Sequence, residues 1–139
     1  MSIFKDQADF MSAGNQTIIP GNAEQVTLYT KLIEEEATEF LLADTETVDE
    51  PDFATPETIK EAVDVIVVAA GYLISALGVV GAQTAWNLVH ESNLSKVRGA
   101  VEKRADGKIL KGFEYKQILK ARLMADLATL LGITDNEIN

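Results

Sequence analysis

Residues 65–82 run for 18 positions without a charge, and no other stretch limits the possible fold as much. They are rich in valine and isoleucine, but too long for a strand and without alternation, so they read as helix. Their length is at the lower edge of a membrane span. Against a span stand the interrupting glycines Gly71, Gly78 and Gly81, a helix end at Leu77-Gly78, and the closely preceding acids Glu61 and Asp64. The cationic flanks of a span are missing as well. The expectation is a helix over about 56–77, apolar nearly all round after Asp64, that must be enclosed by this chain or by a partner subunit.

Signals around this stretch point to further helices. Thr55-Pro56-Glu57-Thr58 supplies a start, with threonine as cap, proline at the first position and an acid in the first turn. Residues 3–12 predict a short helix with Phe4, Ala8 and Met11 to one side, ending near Ala13-Gly14. Residues 15–22 read as loop, and a long helix follows over about 23–43. The acidic segment 44–56 reads as a connection, 81–97 as helix, and the charged, glycine-punctuated 98–112 as loop. A last helix over about 114–131 places Ile118, Leu119, Arg122, Leu123, Leu127 and Leu130 near one stripe. The expected fold class is all-α, with one domain over residues 1–139.

Composition removes several kinds of chemistry. There is no cysteine, which excludes disulfides, thiolate metal sites and cysteine nucleophiles. The single histidine, His90, argues against an imidazole zinc site. A net charge of −10 argues against general affinity for a nucleic-acid polymer. The positive charge is uneven: nine of the twelve Lys and Arg residues lie within 96–122. An acidic body with a basic C-terminal third suits a cation and a phosphorylated small molecule held together. The opening MSIFKDQADF lacks the pattern of a signal peptide, so a cytoplasmic protein without a membrane partner is expected.

The glutamate run in KLIEEEATEF (residues 31–40) divides when wound into a helix. With Leu32 at zero, Tyr29, Phe40 and Ile33 fall at about 60–100° and Leu28 at about 320°. Glu36 at about 40° and Glu39 at about 340° lie inside that apolar arc. Glu34 falls opposite, and Glu35 sits on the border near about 300°. Glu61 and Asp64 repeat the i, i+3 spacing at the head of the apolar stretch. Lys60 is the nearby cation. Two such pairs packed face to face bring four carboxylates together, and their repulsion raises pKa values unless divalent cations fill the gap. All-oxygen ligands select Mg²⁺ or Mn²⁺. The competing reading is ordinary: a solvated glutamate face, and acids complementing a helix N-terminus.

Glu36-x-x-Glu39, a gap of 21 residues, and Glu61-x-x-Asp64 resemble the E-x-x-E … E-x-x-D signature of the all-α nucleoside triphosphate pyrophosphohydrolases. That superfamily includes MazG-like enzymes, phosphoribosyl-ATP pyrophosphohydrolases and dimeric dUTPases. QADFMSAGNQ resembles the short helix and turn that open the MazG and phosphoribosyl-ATP branch. HESNLSK resembles its asparagine–lysine segment, and DGKILKG its D-G-K-x-x-K-G loop. Residues 4–116 are covered in the family's order, and bacteriophage members look most similar in length. The 44–56 segment departs from compact members in being longer and more acidic.

The resemblance implies a MazG-like helical bundle whose four-helix core is completed by oligomerisation, as homodimer or homotetramer. It implies cleavage of a nucleoside triphosphate into monophosphate and pyrophosphate, the substrate being a range of (d)NTPs or a purine such as dGTP or GTP. Two or more Mg²⁺ or Mn²⁺ ions would be held by Glu36, Glu39, Glu61 and Asp64, with Glu35 and Glu36 as catalytic carboxylates. Asn93, Lys96, Lys108 and Lys111 would meet the phosphates. Phe10, Asn15, Gln16, Ile18 and Trp86 are candidates for the base, in a pocket between the N-terminal segment and the first long helix. Each also has a plain core or loop explanation, Trp86 most of all. The alternatives are phosphoribosyl-ATP or dUTP hydrolysis, a non-catalytic helical interaction module with solvated acids, and a membrane-associated helical protein.

Overall fold

Residues 2–45, 54–98, 102–110 and 120–132 are described in a computed structural model of the chain. Among them are four helices and no strand: α1 (Ile3–Ala13), α2 (Ala23–Thr45), α3 (Pro56–Lys96) and α4 (Lys120–Leu131). The all-α expectation therefore holds, with the starts of the first three helices close to those expected. The chain forms two compact units, Met1–Ala82 and Gln83–Asn139.

Local chemistry starts each helix of the first unit. Ser2 caps α1, its hydroxyl accepting from the Phe4 N–H at 3.2 Å. Asn22 Oδ1 accepts from the Gln25 N–H at 3.0 Å and caps α2. At the head of α3, Thr55 Oγ1 accepts from the Thr58 N–H at 3.2 Å while Thr58 Oγ1 accepts from the Thr55 N–H at 2.9 Å. That exchange is a capping box with threonine at both positions, and Pro56 fills the position where no N–H is needed.

The core of this unit joins Phe4, Ala8 and Met11 of α1 to Tyr29 of α2 and to Val68, Ala70, Ile74 and Ala82 of α3. The predicted stripe of α1 is thus the one that is buried. The Tyr29 ring lies against Gly71, whose missing side chain makes the approach possible: a Cβ there would fall within 2.1 Å of the ring.

The helix end read at Leu77-Gly78 is a break inside one long helical run. Gly78 has φ +74° and ψ 176°, outside helical space. Two carbonyls of the turn before the break find partners in the loop after α1. The Gly21 N–H donates to the Ser75 and Ala76 carbonyls at 3.1 and 3.2 Å, and the Asn22 N–H donates to the Ser75 carbonyl at 3.2 Å. Gln25 locks the same junction, donating to the Thr17 carbonyl at 2.7 Å and to Ser75 Oγ at 2.9 Å. The loop after α1 is therefore held against the break in α3.

Enclosure of the apolar helix is incomplete. By length and composition α3 is apolar enough to cross a membrane, yet 39% of that window is buried. Ile59, Val63, Ile66 and Val80 of α3 are exposed, as are Leu28, Leu41 and Leu42 of α2.

In the second unit, α4 buries Leu123 and Ala128, whereas Arg122 of the expected stripe is exposed. Ile118 and Leu119 lie outside the described residues. Residues 102–110, expected to be loop, form a tight reversal with one antiparallel bridge, Lys103 to Ile109. The Gly107 N–H donates to the Arg104 carbonyl at 2.8 Å to close the turn.

Candidate functional site

Among the described residues of α2 the buried positions are Gln25, Tyr29 and Ala43. On the helical wheel they fall at about 20°, 60° and 20°, so the true inward stripe centres near about 40°. Glu36 sits at that centre. Glu39 and Leu28 share its outer edge, and both are exposed. The buried arc is narrower on that side than the sequence predicts: Glu39 stands at the rim and does not face the core. On α3, Glu61 is buried and lies on the heptad-spaced line Glu61, Val68, Ser75, all three buried.

The packing of α2 against α3 brings one carboxylate oxygen each of Glu36, Glu39 and Glu61 within 4.8 Å of one another. Burial pushes the Glu36 carboxyl above its ordinary range. The Glu39 charge adds to this, then a side-chain hydrogen bond with Glu39, then the charges of Asp64 and Glu61. Glu36 Oε2 and Glu61 Oε2 are buried with no hydrogen-bond partner. Orphaned carboxylate oxygens are costly, and two of them on converging side chains fit a bound cation better than an empty core. The donor set is all oxygen, which suits Mg²⁺ or Mn²⁺.

Asp64, the fourth expected ligand, is outside this set of three and half-buried. Its Oδ2 accepts from Lys60 Nζ at 2.9 Å, and the same ammonium lies 3.4 Å from Glu61 Oε1. The hydrogen bond to Asp64 and then that to Glu61 hold the Lys60 ammonium above its ordinary range. Glu35 is exposed, in a shallow depression lined by Lys31, Glu34, Glu35, Thr38 and Glu39. Glu39 thus borders both the carboxylate cluster and the surface on which Glu35 lies. Glu34 is exposed, as its wheel position requires.

A cleft of about 660 Å³ opens between α1 and α3. Its walls are Ile3, Phe10, Val63, Ile66, Val67 and Ala70, with Asp6, Gln7 and Asp64 as its polar members. Asp64 thus lines the cleft and, through Lys60, is paired with Glu61 of the carboxylate cluster. This pocket lies against α3, not between the N-terminal segment and α2 as expected. Phe10 lines it; Asn15, Gln16 and Ile18 do not. Gln16 Oε1 accepts from the Tyr29 hydroxyl at 2.6 Å, and Asn15 has φ +63° in the turn after α1. Ile18 is exposed.

The remaining candidates belong to the second unit. Lys96 Nζ donates to Asn93 Oδ1 at 2.7 Å, one turn apart on α3. The Lys108 N–H donates to Asp106 Oδ1 at 3.3 Å, and Arg104 grips Asp106 through Nε at 2.9 Å and Nη2 at 2.6 Å. Lys111 lies outside the described residues. Trp86, for which a core position was the plainer expectation, is exposed. In this unit α3 and α4 also frame a groove of about 340 Å³ with Ser92, Ser95, Arg98 and Arg122 among its walls.

Sequence reasoning did not single out Ile3, Gln7, Val63 or Ile66 as cleft residues. Ile3, Gln7 and Phe10 are spaced i, i+4, i+7, a second face of α1 beside the more strongly apolar Phe4–Ala8–Met11 stripe. Comparison with protein-family models, curated proteins and solved structures found no match to this chain.

Proposed function

We propose that the chain is a cation-dependent nucleoside triphosphate pyrophosphohydrolase of the MazG-like type. One observation carries the reading: Glu36, Glu39 and Glu61 converge within 4.8 Å, and Glu36 and Glu61 each bury an oxygen without a partner. A solvated glutamate face does not orphan its own oxygens.

Glu36, Glu39 and Glu61 would hold Mg²⁺ or Mn²⁺, with Asp64 as a further ligand after release from Lys60. A cation there would neutralise phosphate charge and favour the deprotonated form of a bound water. The chain's own part begins with Glu36, which is half-buried and has its Oε2 shielded from bulk water. Glu35 stands in solvent beside Glu39 and takes the proton released as water adds to one phosphorus of the α–β anhydride. The bridging P–O bond breaks, and monophosphate and pyrophosphate leave. The apolar cleft, which Asp64 lines, receives the base, with Phe10 as its aromatic wall. Phosphate contacts by Asn93, Lys96, Lys108 and Lys111 are what the family resemblance alone implies. The exposed apolar residues of α2 and α3 suit the homodimer or homotetramer of the same family.

A non-catalytic helical interaction module is the second reading, favoured by the pairing of Lys60 with Glu61 and Asp64, which balances part of the acid charge internally. A panel of nucleoside triphosphates with Mg²⁺ or Mn²⁺, scored for pyrophosphate against phosphate, separates the two. Cation-dependent pyrophosphate release, lost in Glu36→Gln and Glu61→Gln, is the expected result. No hydrolysis of any nucleotide by a folded protein favours the module.

A further inference from the structure

We propose that Lys60 is the resident counter-ion of the carboxylate cluster and that a divalent cation binds by displacing it. The ammonium contacts Asp64 Oδ2 at 2.9 Å and Glu61 Oε1 at 3.4 Å, tying together one carboxylate inside the set of three and one outside it. The lysine side chain is 66% exposed, whereas those of Glu61 and Asp64 are 10% and 31% exposed. The cation is thus on the solvent side and the anions on the protein side, so Lys60 leaves into water without disturbing the core. It sits one residue before Glu61 and one turn before Asp64, and a flexible four-carbon stem lets it swing clear.

Displacement is needed for charge reasons. An ammonium this close to two ligand carboxylates repels any arriving cation, and the more strongly the less water lies between them. Retaining Lys60 in place also leaves Asp64 directed at nitrogen and outside the set of three. Its departure frees Asp64 Oδ2 and Glu61 Oε1 together. Lys60 therefore lowers cation affinity while supporting the fold when no cation is present. Both effects come from one contact and are thermodynamically linked: what Lys60 gives the cation-free state, the incoming cation must overcome.

The inference rests on the cation-binding part of the proposed function, and its test separates the two. Mn²⁺ is titrated calorimetrically into the full-length wild type, Lys60→Met, Lys60→Arg and Lys5→Met, and each is melted with and without saturating Mn²⁺. Lys5 is an exposed lysine on α1 of the same unit, so its loss controls for net charge alone. Lys60→Met is expected to bind Mn²⁺ about three- to tenfold more tightly and to melt lower without cation, the difference closing when Mn²⁺ saturates. Lys60→Arg, which keeps a cation at the same i, i+4 spacing, stays close to wild type. Equal affinity in Lys60→Met and wild type, or an equal gain in Lys5→Met, overturns the inference while leaving the cation site standing. Absence of Mn²⁺ binding in every variant removes the site itself.

Discussion

Glu36 holds the most consequential position at the scale of single residues. Its folded-state pKa is raised above the ordinary 4.5, chiefly by burial. The folded chain therefore binds more protons than the unfolded chain between 4.5 and that raised value. The Glu36 contribution is most favourable below 4.5 and is lost as pH rises through the folded pKa. Cation-free wild type should gain melting temperature relative to Glu36→Gln as pH falls from neutral toward that window. At any pH above the folded Glu36 pKa the variant should melt higher than cation-free wild type, because it carries no charge to desolvate. Saturating Mn²⁺ should reverse the order, since the neutral amide of the variant is a poorer ligand, with affinity down by at least about tenfold. Melting curves over pH with and without Mn²⁺ check all three statements. The wheel separated Glu34 from Glu36 because 100° steps resolve opposite faces. It misplaced Glu39 because the width of a buried arc depends on what packs against it, which one helix does not reveal. The Lys60 bridge was legible only as proximity in sequence, since its geometry depends on rotamers.

At the scale of elements, the decisive contacts are those where a helix has no side chain. Gly71 accepts the Tyr29 ring directly, and Tyr29 in turn is fixed by Gln16 and by Gln7, whose Nε2 donates to its hydroxyl at 3.4 Å. Gly71→Ala should destabilise the protein by about 1–3 kcal/mol through overpacking. The ring belongs to the helix that carries Glu36, so Mn²⁺ affinity should fall with it. Gly78→Ala has a different cause: φ +74° is unfavourable for an L side chain by roughly 1–2 kcal/mol, and Pro20 Cδ would lie 3.2 Å from the new Cβ. Denaturant melts should show both losses, with only Gly71→Ala altering cation affinity. Helix starts were readable because caps are local chemistry, as Thr55-Pro56 shows. The closing of the Gly78 break by Gly21 and Asn22 was not, because a loop's distant partner leaves no periodic trace in the sequence. The reversal at 102–110 reads as plain loop in the sequence because its bridge is a single pair.

For the molecule as a whole, the all-α class followed from helical periodicity and from an apolar stretch too long for a strand. The exposed apolar residues could not be read in that way, because a pattern says which residues seek burial and not whether one chain suffices. Leu28, Leu41 and Leu42 on α2 and Ile59 and Val80 on α3 remain in solvent in the single chain. Light scattering of the purified protein should give a mass of two or four chains, and Leu41→Lys with Leu42→Lys should lower it. A monomer at micromolar concentration would leave those faces unexplained by self-association. The central claim, that Glu36, Glu39 and Glu61 form a cation site, is tested most directly by calorimetric titration of Mn²⁺ into the cation-free protein. Saturable binding that is lost in both Glu36→Gln and Glu61→Gln, while each variant remains folded, is the predicted result. Undetectable binding, or binding unchanged by both substitutions, would contradict it.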